Sequence, residues 1–424
     1  SRMILAKNPN YRVDYFPMIG TLNDHQQGYL KHGGERLPLI DKAVYTLEKE
    51  SIPRWSKFLQ GYYDTSGIST DSFDKAIQVM ASGATTLTPD MKEKGMRLAQ
   101  LTEPSIYYLG FNMLDSVVGG SGERARLLRQ AVSIAVNYDE HIAIFLNGRG
   151  KPAQGPIPSG VFGHHAGAEG INPYIYNWEG GAPKRQGIAK AKELMKAAGY
   201  PDGRDPATGE PLILHYDIAV TGGPDDKAQL NWMQKQFARI GIALDIRATQ
   251  YNRFQEKIRN GNSQLFSWSW SADYPDPENF LFLLYGPNGK VEHGGENAAN
   301  YHNIEYDKLF DLMKNRSNDA RREQIIDQMV ELLRHDAPWA WGIHSESLIL
   351  SQQWVSPTKI STISPSTLKY VAIDILLRNS LRSTWNQPVL WPIGVFILLI
   401  ALLLLPFVLA YRKKQEQQAP RDSL

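Results

Sequence analysis

The chain contains no cysteine in 424 residues. Disulfides, thiolate nucleophiles and cysteine-bound metal centres are therefore excluded, and the redox compartment is unreadable from composition. It also lacks an excess of charge: 46 Lys plus Arg face 44 Asp plus Glu. With no basic field to hold a phosphate backbone, nucleic acid is not an expected partner. Neither a G-x-S-x-G nucleophile turn nor a G-x-x-x-x-G-K-[ST] phosphate loop occurs. The opening residues, SRMILAKNPNYRVDYF, do not begin with Met and show no charged-then-apolar signal pattern. They read as chain already in progress, and the expectation is a mature protein or a fragment without its beginning.

What is present starts at the other end. From Ser383 to Tyr411 no residue is charged, and PVLWPIGVFILLIALLLLPFVLAY (388–411) is almost wholly apolar. As a helix its ~24 residues would run ~36 Å, more than a hydrocarbon layer of ~30 Å. A core helix of a water-soluble domain rarely stays apolar on every face for so long. Trp385, Trp391 and Tyr411 lie near the ends of the run, where amphipathic rings favour the interface. Arg412, Lys413 and Lys414 follow at once, so the tail (412–424) is expected in the cytoplasm and the bulk of the chain outside.

With 42% hydrophobic residues the remainder can bury a sizeable core. Residues 1 to about 105 mix strands such as KAVYTLEKE (42–50) with short amphipathic pieces such as IPRWSKFLQG (52–61). SIYYLGFNM (105–113) is an aromatic, β-prone run placed to cross between lobes. From about 123 to 340 the pattern becomes αβ. A helix pair ends at Gly148, a loop rich in Gly and Pro follows, and IAKAKELMKAAGY (188–200) is a helix closed by Gly199 and Pro201. LILHYDIAV, DDKAQLNWMQKQFARIG and ALDIRATQ then read strand, helix, strand, which implies a parallel or mixed sheet with covering helices. WAWGIHSESLIL (339–350) reads as a strand returning to the first lobe. Two lobes joined more than once form a cleft, the usual place for a small ligand.

The stretch LFSWSWSADYPDPENF (265–280) carries the chemistry. On a strand, Trp268 and Trp270 share one face and Ser267, Ser269 and Ser271 the other. Pro275 and Pro277 end the ladder and stiffen a turn. Asp273 is then presented at a strand end beside indole surface, partly desolvated, in want of a cation or of local donors. The competing reading of Asp273 is a turn cap bonded to backbone N–H groups, and that of Trp268 is ordinary core. Asp276 and Glu278 read as turn and cap residues; Asn279 fits either a ligand contact or a cap. A calcium loop would need more oxygen ligands and a glycine, and a glycosidase pair would need carboxylates ~5 Å or more apart across a bond. His164 and His165 are adjacent and diverge, which favours a surface loop over a metal site. Arg129 reads as a structural ion-pair partner.

Several phrases, in order, resemble family 5 of the extracellular solute-binding proteins that serve ABC importers of oligopeptides and dipeptides. These are AKNPNYR (6–12), IYYLGFNM, RQAVSIAVNYDEHIAIFLNGRGKPAQGPIPSG, AKAKELMKAAGYPDG, WSADYPDPENF and RHDAPWAWGIH. The resemblance implies an α/β, bilobed periplasmic-binding-protein-like fold of type II; the chain departs from the family in being incomplete at the N-terminus and in ending with the apolar run read above as one C-terminal transmembrane helix. Residues 1–110 would be the remainder of the first lobe and 111–342 the second. Residues 343–382 would return to the first lobe, and 383–411 would span the membrane. The implied function is capture of oligopeptides or similar solutes by lobe closure and delivery to an ABC permease, on the outer face of a bacterial cytoplasmic membrane. No catalytic residue, cofactor or metal is implied. A solute-sensing receptor subunit is the alternative, and a surface hydrolase a more distant one. Within the resemblance, Asp273 matches the aspartate that pairs with a peptide's amino group, and Trp270 and Ser271 match its neighbours lining the site. Trp268 and Asn279 complete the candidate ligand-binding set.

Overall fold

The principal sheet is built around one long strand. In the computed structural model, which describes residues 2–80, 85–220, 222–359 and 367–418, the strand Trp339–Ser351 runs for 13 residues. Its first half pairs antiparallel with Ser105–Phe111 and with the short Gly150–Pro152. Its second half pairs antiparallel with Arg97–Thr102 and with Thr65–Gly67. Beyond Ser105–Phe111 the order continues through Leu265–Ser271, Ile213–Ala219 and Ala243–Thr249. The last three are parallel to one another, and Leu265–Ser271 is antiparallel to Ser105–Phe111. The sheet is therefore mixed, as the strand, helix, strand order of the sequence implies.

Parallel neighbours need a crossover. Helix Pro224–Ala238 supplies the one between Ile213–Ala219 and Ala243–Thr249, and its start is fixed by Asp226, whose carboxylate accepts from the Gly222 and Gly223 N–H groups. It buries Trp232, Met233, Gln236 and Phe237, one stripe at helical spacing. Helix Ala320–Asp336 is capped by Asp319, which accepts from the Arg322 N–H, and it buries Ile325, Ile326, Met329, Val330 and Leu333 in the same pattern.

Alternation along the strands divides the apolar residues between clusters. Leu265, Leu109, Phe111 and Tyr216 join Trp232 and Phe237 in one core. Phe266, Tyr108, Trp339 and Trp341 join Phe254, Phe280 and Phe310 in another. A third core holds Trp55, Phe58, Phe73 and Met91 against Leu348 and Leu350 of the long strand. That strand contributes to all three, adding Ala340 and Ile343 to the first. Across the central pairing, Tyr108 stacks on Trp339 at 3.5 Å between ring centroids. Gly110 sits opposite Phe266, and a Cβ there would lie 2.3 Å from the Phe266 ring, so only glycine fits.

The ends of the chain depart from the main body. Arg2–Ala6 pairs with Lys42–Thr46 in a two-stranded ribbon, every residue of the first strand being exposed. The apolar helix spans Trp391–Gln418 and is exposed along its apolar span. The sequence placed its start at residue 383, but Ser383–Trp385 belong instead to a preceding helix, Ile375–Trp385. That helix docks on the body: Trp385 packs on Trp354, Arg382 lies over the Tyr62 ring, and Asn386 donates to the Gln60 carbonyl at 3.0 Å. These contacts end the first helix before the apolar one begins. Residues 419–424 of the expected tail lie outside the described residues.

Candidate ligand-binding site

The strand Leu265–Ser271 brings its aromatic residues to one face near its carboxyl end. Trp268 packs on Phe254 at 5.1 Å, and Trp270 meets Phe282 edge to face at 5.4 Å. On the opposite face Ser267 Oγ lies 2.6 Å from the Tyr216 hydroxyl. The ladder stops at Ser271, and residues 272–277 turn over the surface before the short helix Glu278–Leu281.

That turn is fixed by two side chains. Asn279 is buried, and its Oδ1 accepts from Trp270 Nε1 at 3.1 Å and from the Asp273 N–H at 2.9 Å. Asp276 accepts from the Glu278 N–H at 2.9 Å and receives a bidentate pair from Arg322, at 2.7 and 2.8 Å. Burial alone would raise the Asp276 carboxyl. The Arg322 hydrogen bonds, the Glu278 N–H and the guanidinium charge outweigh it, and the carboxyl lies below its ordinary value.

With the turn held this way, Trp268, Trp270, Ser271 and Asp273 line one cavity of about 480 Å³. Its other walls are Tyr251, Gln255 and Arg259 of helix Tyr251–Arg259, together with Ser269, Lys290 and Glu296. Lys290 donates to Glu296 at 2.8 Å, and its ammonium stands 5.9 Å from the centre of the Trp268 ring. The Asp273 carboxylate has no hydrogen-bond or ion-pair partner among the described residues. It is exposed rather than partly desolvated, because the turn carries it to the cavity rim instead of against the indoles. Asn279 does not reach the cavity; buried beneath the turn, it orients Trp270 and Asp273. Glu278 accepts from the Tyr274 hydroxyl and likewise points elsewhere.

A second cavity, of about 520 Å³, adjoins the first and shares Tyr251, Trp268 and Ser269 with it. Its walls come from strands and helices together: Tyr107 and Ser267 of the sheet, Tyr138 and His141 of helix Tyr138–Phe145, and Trp232 and Met233 of helix Pro224–Ala238. Sequence reasoning missed helix Tyr251–Arg259 as a wall. Its signal was available: Tyr251, Gln255 and Arg259 recur at every fourth residue, on one helical face just before the strand. Lys290 and Glu296 carry no such local signal.

Other singled-out residues fall elsewhere. Arg129 is buried and donates to the carbonyls of Asp336, Val118 and Gly120, so it clamps backbone and does not serve as the ion-pair partner expected. His164 and His165 line a separate cavity of about 410 Å³; His165 contacts Asp327 at 2.7 Å, and His164 Nδ1 donates to the Ile157 carbonyl at 2.9 Å. Among the described residues no group of three or more His, Asp or Glu side chains is disposed to hold a metal ion.

Comparison with known proteins adds the frame. Residues 1–292 match the model of bacterial extracellular solute-binding proteins, family 5 middle. Heme-binding protein A of Haemophilus influenzae is 24% identical over 320 residues, 73% of this chain and 49% of that protein. The dipeptide-binding protein of Escherichia coli is 23% identical over 307 residues, 70% of this chain and 49% of that protein. Among solved structures, the periplasmic binding protein DppA of Helicobacter pylori, in complex with peptide STSA, superposes with a TM-score of 0.64 at 20% identity. It covers 88% of this chain and 60% of that one. The oligopeptide-binding protein AppA of Bacillus subtilis, with a nonapeptide, gives 0.58 at 16% identity, covering 80% and 61%. The mixed α/β fold is that of these periplasmic peptide-binding proteins, and the chain spans about half the length of the curated relatives it matches.

Proposed function

The chain belongs to the bacterial extracellular solute-binding proteins of family 5, which bind solutes and are not enzymes, and we propose that it captures a peptide or similar small solute and hands it to an ABC permease. The observation that carries this reading is the Asp273 carboxylate, unpaired among the described residues, on the rim of a cavity walled by Trp268 and Trp270. An α-ammonium is the cation that such an anion and such aromatic walls accommodate together. A charge-assisted hydrogen bond of this kind contributes about 1.5–3 kcal/mol. Main-chain hydrogen bonds and apolar contact supply the rest.

The mechanism we propose is closure of two lobes, residues 1–110 with 343–382 against residues 111–342. A solute that touches both lobes favours the closed state by its differential affinity, and the permease reads that state. The helix Trp391–Gln418 tethers the protein, with Arg412, Lys413 and Lys414 on the cytoplasmic side and the binding body outside. Tethering raises the concentration of the binder near its transporter. Relatives are named for heme as well as for dipeptides, and a nickel-complex binder is among the similar structures. The unpaired anion favours the peptide reading over these.

Mass spectrometry of solute co-purifying with the full chain tests the reading, together with calorimetric titration of free and N-acetylated peptides into the wild type and Asp273→Asn. The substitution should weaken free peptides about tenfold or more and leave acetylated ones nearly unchanged, since 1.4 kcal/mol is a factor of ten. Equal losses for both would remove the role assigned to Asp273.

A further inference from the structure

The connection between the body and the long apolar helix is short and firmly attached. Helix Ile375–Trp385 is capped by Asp374, whose carboxylate accepts from the Leu377 N–H at 3.0 Å and whose own N–H donates to the Trp354 carbonyl at 2.9 Å. Along the helix, Arg378 stands 3.6 Å from the Asp64 carboxylate, Arg382 covers the Tyr62 ring and Trp385 packs on Trp354. Gly61 lies so close beneath that a Cβ there would come within 2.8 Å of Arg382 and 2.9 Å of Trp354. Asn386 closes the attachment with its bond to the Gln60 carbonyl. Residues 387–390 alone then separate this docked end from Trp391. The steps from Asn386 to Trp391 reach ~18 Å at most, and Pro388 stiffens them. Val389 and Leu390 are exposed and apolar, so they carry the membrane-seeking run back toward the body.

The docked helix also sorts its residues against the usual rule. Leu377, Arg378, Leu381, Arg382 and Trp385 are partly buried, at helical spacing, on the side of the body. The opposite face holds Ile375, Leu376, Asn379, Ser380, Ser383 and Thr384, all exposed, with Leu376 at 84%. Both charged residues of the helix are therefore turned inward, and its outer face carries no charge. A helix that meets only water turns its charges outward. This face instead pairs two large aliphatic side chains with an amide and three hydroxyls. Such a mixture suits the headgroup layer of a bilayer, where aliphatic groups leave water and short polar groups keep hydrogen-bonding partners. That layer is ~5–8 Å deep on each side, so a reach of ~18 Å brings the docked helix up to it.

Resting on the tethering reading above, we infer that helix Ile375–Trp385 is a docking collar that seats its end of the body on the lipid surface, with the uncharged outer face in the headgroup layer. The partner is the lipid surface itself, met without regard to its charge, because the body already holds Arg378 and Arg382. The short connection keeps the face there; two exposed aliphatic side chains are too little apolar area to hold so large a body unaided. The binding body is then fixed in orientation as well as in place, and does not roam as it would on a long flexible lead.

The chain has no cysteine of its own, so a single introduced one reports a single place. The full chain as Leu376→Cys, Ser380→Cys or Lys196→Cys, each bearing a nitrobenzoxadiazole fluorophore, is reconstituted in phosphatidylcholine vesicles with and without a nitroxide on the headgroup. Lys196 is the reference. It is exposed on helix Ile188–Ala197, which packs into the core at the start of the long strand, ~40 Å from the end that leads to Trp354. Labels at 376 and 380 should be quenched several-fold more than the label at 196, and replacing part of the lipid by phosphatidylglycerol should leave this unchanged. A flexible Gly/Ser segment of about twenty residues inserted after Asn386 adds a reach of ~25 Å, and quenching at 376 and 380 should fall toward that at 196. Equal quenching at 376 and 196 without the insertion, or quenching that the insertion leaves undiminished, overturns the collar. Quenching that requires phosphatidylglycerol overturns the role of the uncharged face. Flotation with the vesicles separates the two readings: a chain that floats without quenching at 376 keeps its tether and loses its collar, and a chain that does not float loses both.

Discussion

Replacing Asp276 by Asn should destabilise the protein far more than replacing its partner Arg322 by Met, although both changes break the same ion pair. The asymmetry follows from burial. The Arg322 side chain is 3% exposed, whereas that of Asp276 is 32% exposed. Arg322 donates to both Asp276 oxygens, to the Met313 carbonyl at 3.2 Å and to Asn318. Asp276→Asn leaves the guanidinium charge in place, out of water, with an amide NH₂ facing one of its donors. Removing one partner of a buried pair in this way costs about 3–5 kcal/mol. Arg322→Met removes the buried charge itself, fills similar space beside Met313, and leaves a carboxylate that water can reach; about 1–2 kcal/mol is expected, the scale of lost hydrogen bonds. The double variant should resemble Arg322→Met alone. Urea unfolding of the full chain in detergent, followed by tryptophan fluorescence at neutral pH, reads all three. The acid side gives a second readout. The Asp276 carboxyl is depressed in the folded state, so its contribution is present above the ordinary carboxylate range. It drains away as pH falls through the folded value. Asp276→Asn should flatten that limb. Equal costs for the two single variants, or a cost below about 1 kcal/mol for Asp276→Asn, would refute the reasoning.

Other outcomes follow from single positions. Burial pushes the His344 imidazole down to about 4, so between pH 6.5 and 4 the unfolded chain binds a proton that the folded chain does not. Roughly 3 kcal/mol of stability should be lost as pH drops across that window; His344→Gln, which can still donate to the Ser105 carbonyl, should remove this slope in melting temperature against pH, and an unchanged slope would count against it. Gly110→Ala sets a methyl against the Phe266 ring and should cost about 1–3 kcal/mol in the same urea experiment, while a neutral result would mean that the ring swings aside freely. Leu403→Arg puts a charge near the middle of the apolar helix at a cost of about 2.5–3.5 kcal/mol if that helix spans a bilayer. Alkaline carbonate should then extract the variant from membranes more readily, and equal retention would argue against a spanning helix.

Much of the architecture was legible because it rests on local patterns. Alternation in Leu265–Ser271 placed the tryptophans and serines on opposite faces, and glycines such as Gly148 and Gly199 marked helix ends that the structure keeps. The apolar run was legible by length, but its start was not. Whether Ser383–Trp385 continue into it depends on packing that no local pattern shows: Trp385 on Trp354, and Arg382 on Tyr62, which lies more than 300 residues earlier in the chain. Distance in sequence also hid the site's second half. Asp273 and Trp270 were readable from one phrase, yet Lys290 and Glu296 reach the same cavity only through the path of the intervening turns. Asn279 shows the limit from the other side. Its polar side chain near a pocket segment invited a ligand role, but the competition between ligand and backbone was decided by the unsatisfied donors of Trp270 and Asp273. Arg129 was read as a charge seeking a charge, and three carbonyl groups claimed it first.

The long strand passes from one half of the sheet to the other beside the segment 102–105, and the two are cross-bonded there. The Glu103 N–H donates to the Ser345 carbonyl at 3.0 Å, Ser347 donates to the Glu103 carboxylate, and His344 donates to the Ser105 carbonyl at 2.9 Å. Two segments tied by three such bonds resist shear and torsion, because both would stretch the bonds. In the closure proposed above, a swing of one half against the other would be held by these bonds to a narrow range of directions.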